Sequence, residues 1–147
     1  NAYFLNLGLE SLAVRVPVHC SNALKVAQFL EKNEHVSWIS YPSLPSDKYY
    51  DLAQKYMPNG TCGVIVFGVK GGRAAAEAFM KKLKVAMIAT HVADAHTCVL
   101  HPASSTHRQL TDEELKAGGV MPDMVRLSVG IENVEDIIED LKQALED

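Results

Sequence analysis

Apolar positions along the chain follow two rhythms. From Ala2 to about Asn33 they recur at helical spacing, with Phe4, Leu5, Leu7, Leu9, Leu12 and Val14 followed by Ala23, Leu24, Ala27 and Leu30. Pro17 lacks an N–H and crowds the preceding turn, so a break is expected between Val14 and His19, with Ser21 or Asn22 recapping the helix. The first half of this run carries more apolar residues than one helix face requires, which predicts cover from outside the chain.

The second rhythm is shorter. Val36-Ser37-Trp38-Ile39-Ser40 predicts a strand, and a Pro-Ser-Pro-containing loop then leads to a helix from about Lys48 to Met57, closed by Pro58-Asn59-Gly60. Cys62 to Val69 is nearly continuous in apolar and β-branched residues, the pattern of a central strand. Gly71-Gly72 turns the chain into a helix with Ala75, Ala76, Phe79 and Leu83 on one side, and short strands are expected around Val85 to Ile88 and Thr97 to Leu100. Thr111-Asp112-Glu113-Glu114 has the form of a capping box opening a helix that Gly118-Gly119 ends. After a strand around Arg126, Asn133 caps a last helix whose stripe is Val134, Ile137, Ile138, Leu141, Ala144 and Leu145. Strands alternating with amphipathic helices, without repeats, predict an α/β (α+β) sandwich of two layers.

Composition narrows this further. At 147 residues, 48% hydrophobic and 22% charged, the chain is expected to form one domain with a real core. A net charge of -4 offers no basic patch for nucleic acid or an anionic membrane. No apolar run approaches the ~20 residues of a membrane helix, and a cytoplasmic protein is expected. Cys20, Cys62 and Cys98 are odd in number and widely spaced, which predicts buried thiols in a reducing compartment. The opening Asn1-Ala2-Tyr3, without methionine and apolar in its first turn, predicts a fragment of something longer.

The candidate chemistry centres on Arg126. In Met124-Val125-Arg126-Leu127-Ser128-Val129-Gly130, Val125, Leu127 and Val129 alternate with Arg126 and Ser128, so one sheet face is core and the other carries a charged fork suited to a carboxylate or phosphate. The alternative is an arginine paired with an acidic neighbour on a wet sheet face. His91, His96, His101 and His107 lie five, five and six residues apart, a spacing that puts no two ligands on one helical face, so no metal site is expected. Ser104-Ser105-Thr106-His107 has no G-x-S-x-G elbow around it and is expected to shape a loop, as are His101 and Pro102. Gly71-Gly72-Arg73 lacks a phosphate-loop ending and predicts a plain turn.

Three groups of residues, taken in order, carry a resemblance. They are Asn1-Ala2-Tyr3-Phe4 with Gly8-Leu9-Glu10-Ser11-Leu12, then Tyr41-Pro42-Ser43-Leu44-Pro45, then His101-Pro102-Ala103-Ser104-Ser105-Thr106-His107 with Arg126-Leu127-Ser128-Val129-Gly130. From end to end the chain resembles the Cys/Met-metabolism enzymes that use pyridoxal 5'-phosphate, and within them the O-acetylhomoserine sulfhydrylase branch. The cystathionine γ-lyase, cystathionine γ-synthase and methionine γ-lyase branches remain alternatives, as does a free-standing amino-acid-binding domain.

The resemblance implies the small C-terminal domain of the fold-type I enzymes, a largely antiparallel sheet with helices on one face. Residues 1–147 would then be a single domain, with 1–19 an interdomain helix and 20–147 the sheet-and-helix core. Arg126 would bind the substrate α-carboxylate. His91 is a candidate lining residue, although His91 and Ala93 stand where relatives often carry Asn-Ile-Gly or Ser-Leu-Gly. The cofactor is implied to be held by an absent N-terminal domain, because no lysine here has the Ser-x-[ST]-Lys context, and no catalytic residue is expected in this chain. The parent reaction would replace the acetate of O-acetylhomoserine by sulfide or methanethiol, in a homotetramer.

Overall fold

The computed structural model describes residues 1–146. Five strands form one sheet in the order β1-β2-β5-β4-β3, from β1 (Val36–Ser40), β2 (Val64–Val69), β3 (Met87–Ile88), β4 (Cys98–Leu100) and β5 (Met124–Ser128). Every neighbouring pair is antiparallel except β3 and β4, which run parallel. The helices are α1 (Ala2–Glu10), α2 (Leu12–Lys32), α3 (Tyr50–Tyr56), α4 (Gly72–Lys82), α5 (Asp112–Ala117) and α6 (Val134–Glu146), with a 3-10 turn at Pro102–Ser104.

The register explains the two layers. Leu127 lies opposite Ile65 and Val99, and Val125 opposite Phe67, so these side chains share one face and are fully buried. Ala23, Val26, Ala27 and Leu30 of α2, Ala76 and Phe79 of α4, and Ile137 and Leu141 of α6 close over that face to complete the core. Phe67 and Phe79 meet edge to face at 5.9 Å. Arg126 is opposite Val66 and Leu100, on the other side of the sheet.

Several details differ from the sequence expectation. The middle strand is β5, with β2 interior beside it, because the long chain reversal through β3 and β4 leaves a slot that only a later segment can fill. The N-terminal helix breaks at Ser11 (φ -100°, ψ -1°), while Pro17 sits inside a continuous α2. Pro17 and Ala13 are both exposed, so the Ala13 carbonyl left without a helical donor faces solvent and its loss costs little. Ser21 and Asn22 therefore do not cap; Asn22 Nδ2 donates to the carbonyls of Gly130 (3.1 Å) and Glu132 (2.9 Å). Of the three cysteines only Cys98 is buried, while Cys20 and Cys62 are partly accessible.

The expected caps form. Thr111 accepts from the Glu114 amide and the Glu114 carboxylate returns to the Thr111 amide at 2.8 Å, while Asn133 Oδ1 accepts from the Glu135 amide. Gly71 (φ 104°) and Gly72 (φ 73°) make the turn into α4 in a region open to glycine. Nothing in α1 is buried, and Tyr3, Phe4 and Leu5 are each more than 70% exposed.

Candidate functional site

The open sheet face is built around Arg126. Its guanidinium is held by the loop that follows β3: Nη2 donates to the carbonyls of Thr90 (2.9 Å) and His91 (3.4 Å). No carboxylate lies within ion-pair distance of it among the described residues. Nε is buried without a partner, which leaves a desolvated N–H requiring an acceptor. An arginine clamped by two neutral carbonyls keeps its full positive charge, the condition for a paired grip on a carboxylate.

That loop is fixed to the same strand. Ser128 Oγ accepts from the Ala93 amide at 3.0 Å, and the Ile131 amide donates to the Ala95 carbonyl at 2.9 Å. Ala93 takes φ 58°, the only left-handed non-glycine among the described residues. The backbone therefore adopts a conformation that glycine favours, with alanine carrying the strain. Left-handed geometry costs a side-chain-bearing residue about 1–2 kcal/mol, partly offset by the greater chain entropy glycine loses on folding. Ala93→Gly is expected to raise stability by about 0.5 kcal/mol, read as a higher urea midpoint at unchanged slope.

His91 projects into solvent at the loop edge, and its carbonyl rather than its ring meets Arg126. Its Nδ1 stands 3.4 Å from Asp94 Oδ2, while His96 Nδ1 stands 3.3 Å from Asp94 Oδ1, so two imidazoles flank one carboxylate. The Asp94 carboxyl is held below the usual range, first by the His96 amide at 2.9 Å and then by the two rings. The other histidines are scattered. His101 is buried and spends both nitrogens on Ser104 Oγ (2.7 Å) and the Pro122 carbonyl (2.9 Å), and His107 meets its neighbour Thr106. Ser105 Oγ donates to the His101 carbonyl at 2.6 Å, so one hydroxyl of this turn satisfies backbone while Ser104 and Thr106 pair with histidine rings.

Sequence reasoning missed the supports behind the strand. Beyond Ser128, α2 grips the chain through His19, whose Nδ1 is 2.7 Å from the Val129 carbonyl, and through Asn22. From the opposite side Thr97 Oγ1 accepts from the Gly130 amide at 2.9 Å, and Glu132 accepts from the Thr97 amide and hydroxyl. The only sequence signal was the polar pair His19 and Asn22, three apart on an otherwise apolar helix face. On the far side of Arg126, Trp38, Tyr49, Val66, Met121 and Met124 line a cleft of about 360 Å³, with the Trp38 indole donating to Asp123 at 3.1 Å.

The residues present do not fit pyridoxal phosphate. No lysine is buried, and Lys48, which lines the cleft beside Val66 and Met124, is exposed with its ammonium 4.8 Å over the Tyr49 ring. Arg73, after the glycine pair, is spent on the Ala103 carbonyl (2.8 Å) and Asp112 instead of facing a phosphate. What the open sheet face offers is the Arg126 guanidinium, with no buried lysine beside it among the described residues.

Known proteins resemble this chain in sequence and fold. An O-acetyl-L-homoserine sulfhydrylase of Leptospira meyeri is 45% identical over 146 residues, covering 99% of this chain and 33% of that protein. An L-methionine gamma-lyase of Treponema denticola is 47% identical over 146 residues, covering 99% of this chain and 36% of that protein. A solved structure from Campylobacter jejuni, named as an O-acetylhomoserine (thiol)-lyase and containing N'-pyridoxyl-lysine-5'-monophosphate, superposes with a TM-score of 0.93 at 40% identity; the match covers 100% of this chain and 35% of that one. The chain thus spans about a third of the length of the curated relatives it matches. With the family model for Cys/Met metabolism PLP-dependent enzymes matching residues 1–146, and the fold shared with a pyridoxyl-bearing relative, this chain belongs to that family of pyridoxal-phosphate enzymes.

Proposed function

We propose that this chain supplies the substrate-carboxylate grip of an O-acetylhomoserine sulfhydrylase, in which the acetate on the γ carbon of O-acetylhomoserine is replaced by sulfide or methanethiol. The observation that carries the reading is Arg126, with its buried, unpartnered Nε and no carboxylate in ion-pair distance among the described residues. Arg126 fixes the α-carboxylate through two charge-assisted hydrogen bonds, and the Thr90 and His91 carbonyls hold the guanidinium in place for it. Holding the acid group orients the rest of the amino acid, and orientation of this kind can supply several kcal/mol of a barrier, about 7–11 at the limit. His91 lines the rim of this site, and its ring can turn toward a substrate bound there.

Pyridoxal phosphate, which captures the substrate amine, is held by a further domain of the parent protein. In this reading residues 1–19, which fold as α1 and the first part of α2, are the interdomain segment and 20–147 the sheet-and-helix core, because no side chain before His19 is buried. The parent is a cytoplasmic transferase acting as a homotetramer. Among the described residues no helix is long and apolar enough to cross a membrane.

A second reading has a specific observation behind it. The methionine gamma-lyases of Treponema denticola and Porphyromonas gingivalis are 47% and 44% identical, as similar to this chain as the sulfhydrylases are. Assaying the full-length parent with O-acetylhomoserine plus sulfide against methionine alone separates the two. In either reaction, Arg126→Ala is expected to lower kcat/KM for the amino-acid substrate by about 100-fold, with Arg126→Lys intermediate. A loss of less than about threefold on Arg126→Ala defeats the assignment of the carboxylate to Arg126.

A further inference from the structure

A second polar atom is buried without a partner, and it lies beside the Arg126 face. His19 is 3% exposed, with Nδ1 2.7 Å from the Val129 carbonyl. A carbonyl only accepts, so Nδ1 carries a proton, and in the tautomer this contact selects Nε2 is the ring's acceptor. No donor reaches Nε2 among the described residues. The ring lines a cavity of about 210 Å³ together with Val16, Cys20, Cys62, Val64, Val92 and Ser128.

The chemistry of the walls selects the ligand. No charged side chain lines the cavity, so a carboxylate, phosphate or ammonium entering it would lose its water with nothing opposite to replace it. Cys62 Sγ already donates to the Val64 carbonyl at 3.3 Å, and Ser128 Oγ accepts from the Ala93 amide at 3.0 Å. What remains is one strong acceptor, with the hydrogens of the Ser128 hydroxyl and the Cys20 thiol as the other polar features of a mostly apolar chamber several times the ~30 Å³ share of a water molecule. A small, neutral, mostly apolar molecule with one hydrogen to donate meets those terms.

We propose that this cavity binds a small neutral thiol, such as methanethiol or hydrogen sulfide, with its S–H donated to His19 Nε2 and its apolar part against Val16, Val64 and Val92. The proposal deepens the sulfhydrylase reading and rests on it for the identity of the thiol. Its position is apt. Ser128 follows Arg126 by two residues on the same strand face, roughly 7 Å away at strand rise, a span comparable to that of a four-carbon amino acid. The loop whose Thr90 and His91 carbonyls hold Arg126 contributes Val92 and Ala93 to the cavity wall, so one loop borders both places.

The test is a titration of the protein with methanethiol under reducing conditions, followed by ¹⁵N shifts of the His19 imidazole and ¹³C shifts of the valine methyls. Saturable millimolar binding is expected, moving His19 Nε2 and the methyls of Val16, Val64 and Val92 together. Val64→Phe, which fills the cavity from β2 and leaves the His19 to Val129 bond in place, is expected to weaken binding at least about tenfold. His19→Phe removes the acceptor, and because it also removes a tie to Val129 its fold is checked first. Shifts that stay linear to tens of millimolar, or that are unchanged in Val64→Phe, overturn the proposal. The outcome is separable from the carboxylate grip: loss of activity in Arg126→Ala with no methanethiol binding removes the cavity assignment alone. Saturable binding in a parent that uses no sulfur nucleophile removes the sulfhydrylase reading and keeps the thiol site.

Discussion

Asp140→Ala is expected to cost about 3–4 kcal/mol of folding stability, a large part of the 5–15 kcal/mol that holds a typical domain together. Asp140 sits on the core-facing side of α6, where sequence periodicity would place an apolar residue, and is 5% exposed. Its carboxylate accepts from three consecutive amides in the turn leading to β3: Lys84 at 2.7 Å and Val85 and Ala86 at 2.9 Å. Gln143, one turn on, donates to Asp140 Oδ1 and to the Lys82 carbonyl, so α6 ties down the end of α4 as well. Alanine strands the buried Ala86 amide outright and leaves the other two to partial rescue by water, since Lys84 and Val85 are exposed. Asp140→Asn keeps the shape but turns one acceptor into a donor facing amides, and is expected to recover less than half the loss. Equilibrium urea unfolding of the three proteins checks this, and a loss under about 1 kcal/mol for alanine would show that the turn holds without its carboxylate.

Gly130→Ala is expected to destabilise by about 3 kcal/mol and, in the same step, to weaken the carboxylate grip. A methyl group at Gly130 falls against the Glu132 carboxylate and the Ala95 carbonyl oxygen, and 2.6 Å from the His96 carbonyl carbon. Glu132 can swing away, though only by releasing Thr97. Ala95 cannot retreat without stretching its 2.9 Å bond from the Ile131 amide. Since that contact helps fix the loop carrying Thr90 and His91, the displacement reaches Arg126. Urea unfolding and substrate KM measured on the same variant are expected to worsen together. A stability change below about 0.5 kcal/mol would mean that the strand end tolerates the methyl group.

Much of this arrangement was legible in the chain, and the parts that were not share a cause. Strand β1, the body of β2, the stripe of α6 and the Thr111 box all depend on residues within one or two turns of each other, where alternation and capping chemistry are decisive. The face that Arg126 occupies followed from the same alternation. Strand order did not, because two residues in β3 and three in β4 carry too little pattern to reveal a parallel pair, and the slot taken by β5 is set by that pair. The Ser11 break was hidden by Pro17, which reads as the stronger breaker but sits where solvent receives its orphaned carbonyl. Asp140, His19 and Asn22 were opaque for a related reason. Their partners lie 54 to 110 residues away, and a polar residue on a buried face announces a partner without naming it.

The placement of β5 between β2 and β4 bears on how the chain folds as it is made. Until residues 124–128 leave the ribosome, the nascent polypeptide has only two narrow ribbons, β1 with β2 and β3 with β4, each with an open edge, and α2 and α4 cover only part of the apolar side. Strand β5 joins them in one event, and α6 follows within a few residues to seal the layer. The two halves of the sheet are therefore united only when β5 arrives, so a chain released shortly before Met124 would keep open strand edges and part of its core exposed, a sticky, degradable intermediate.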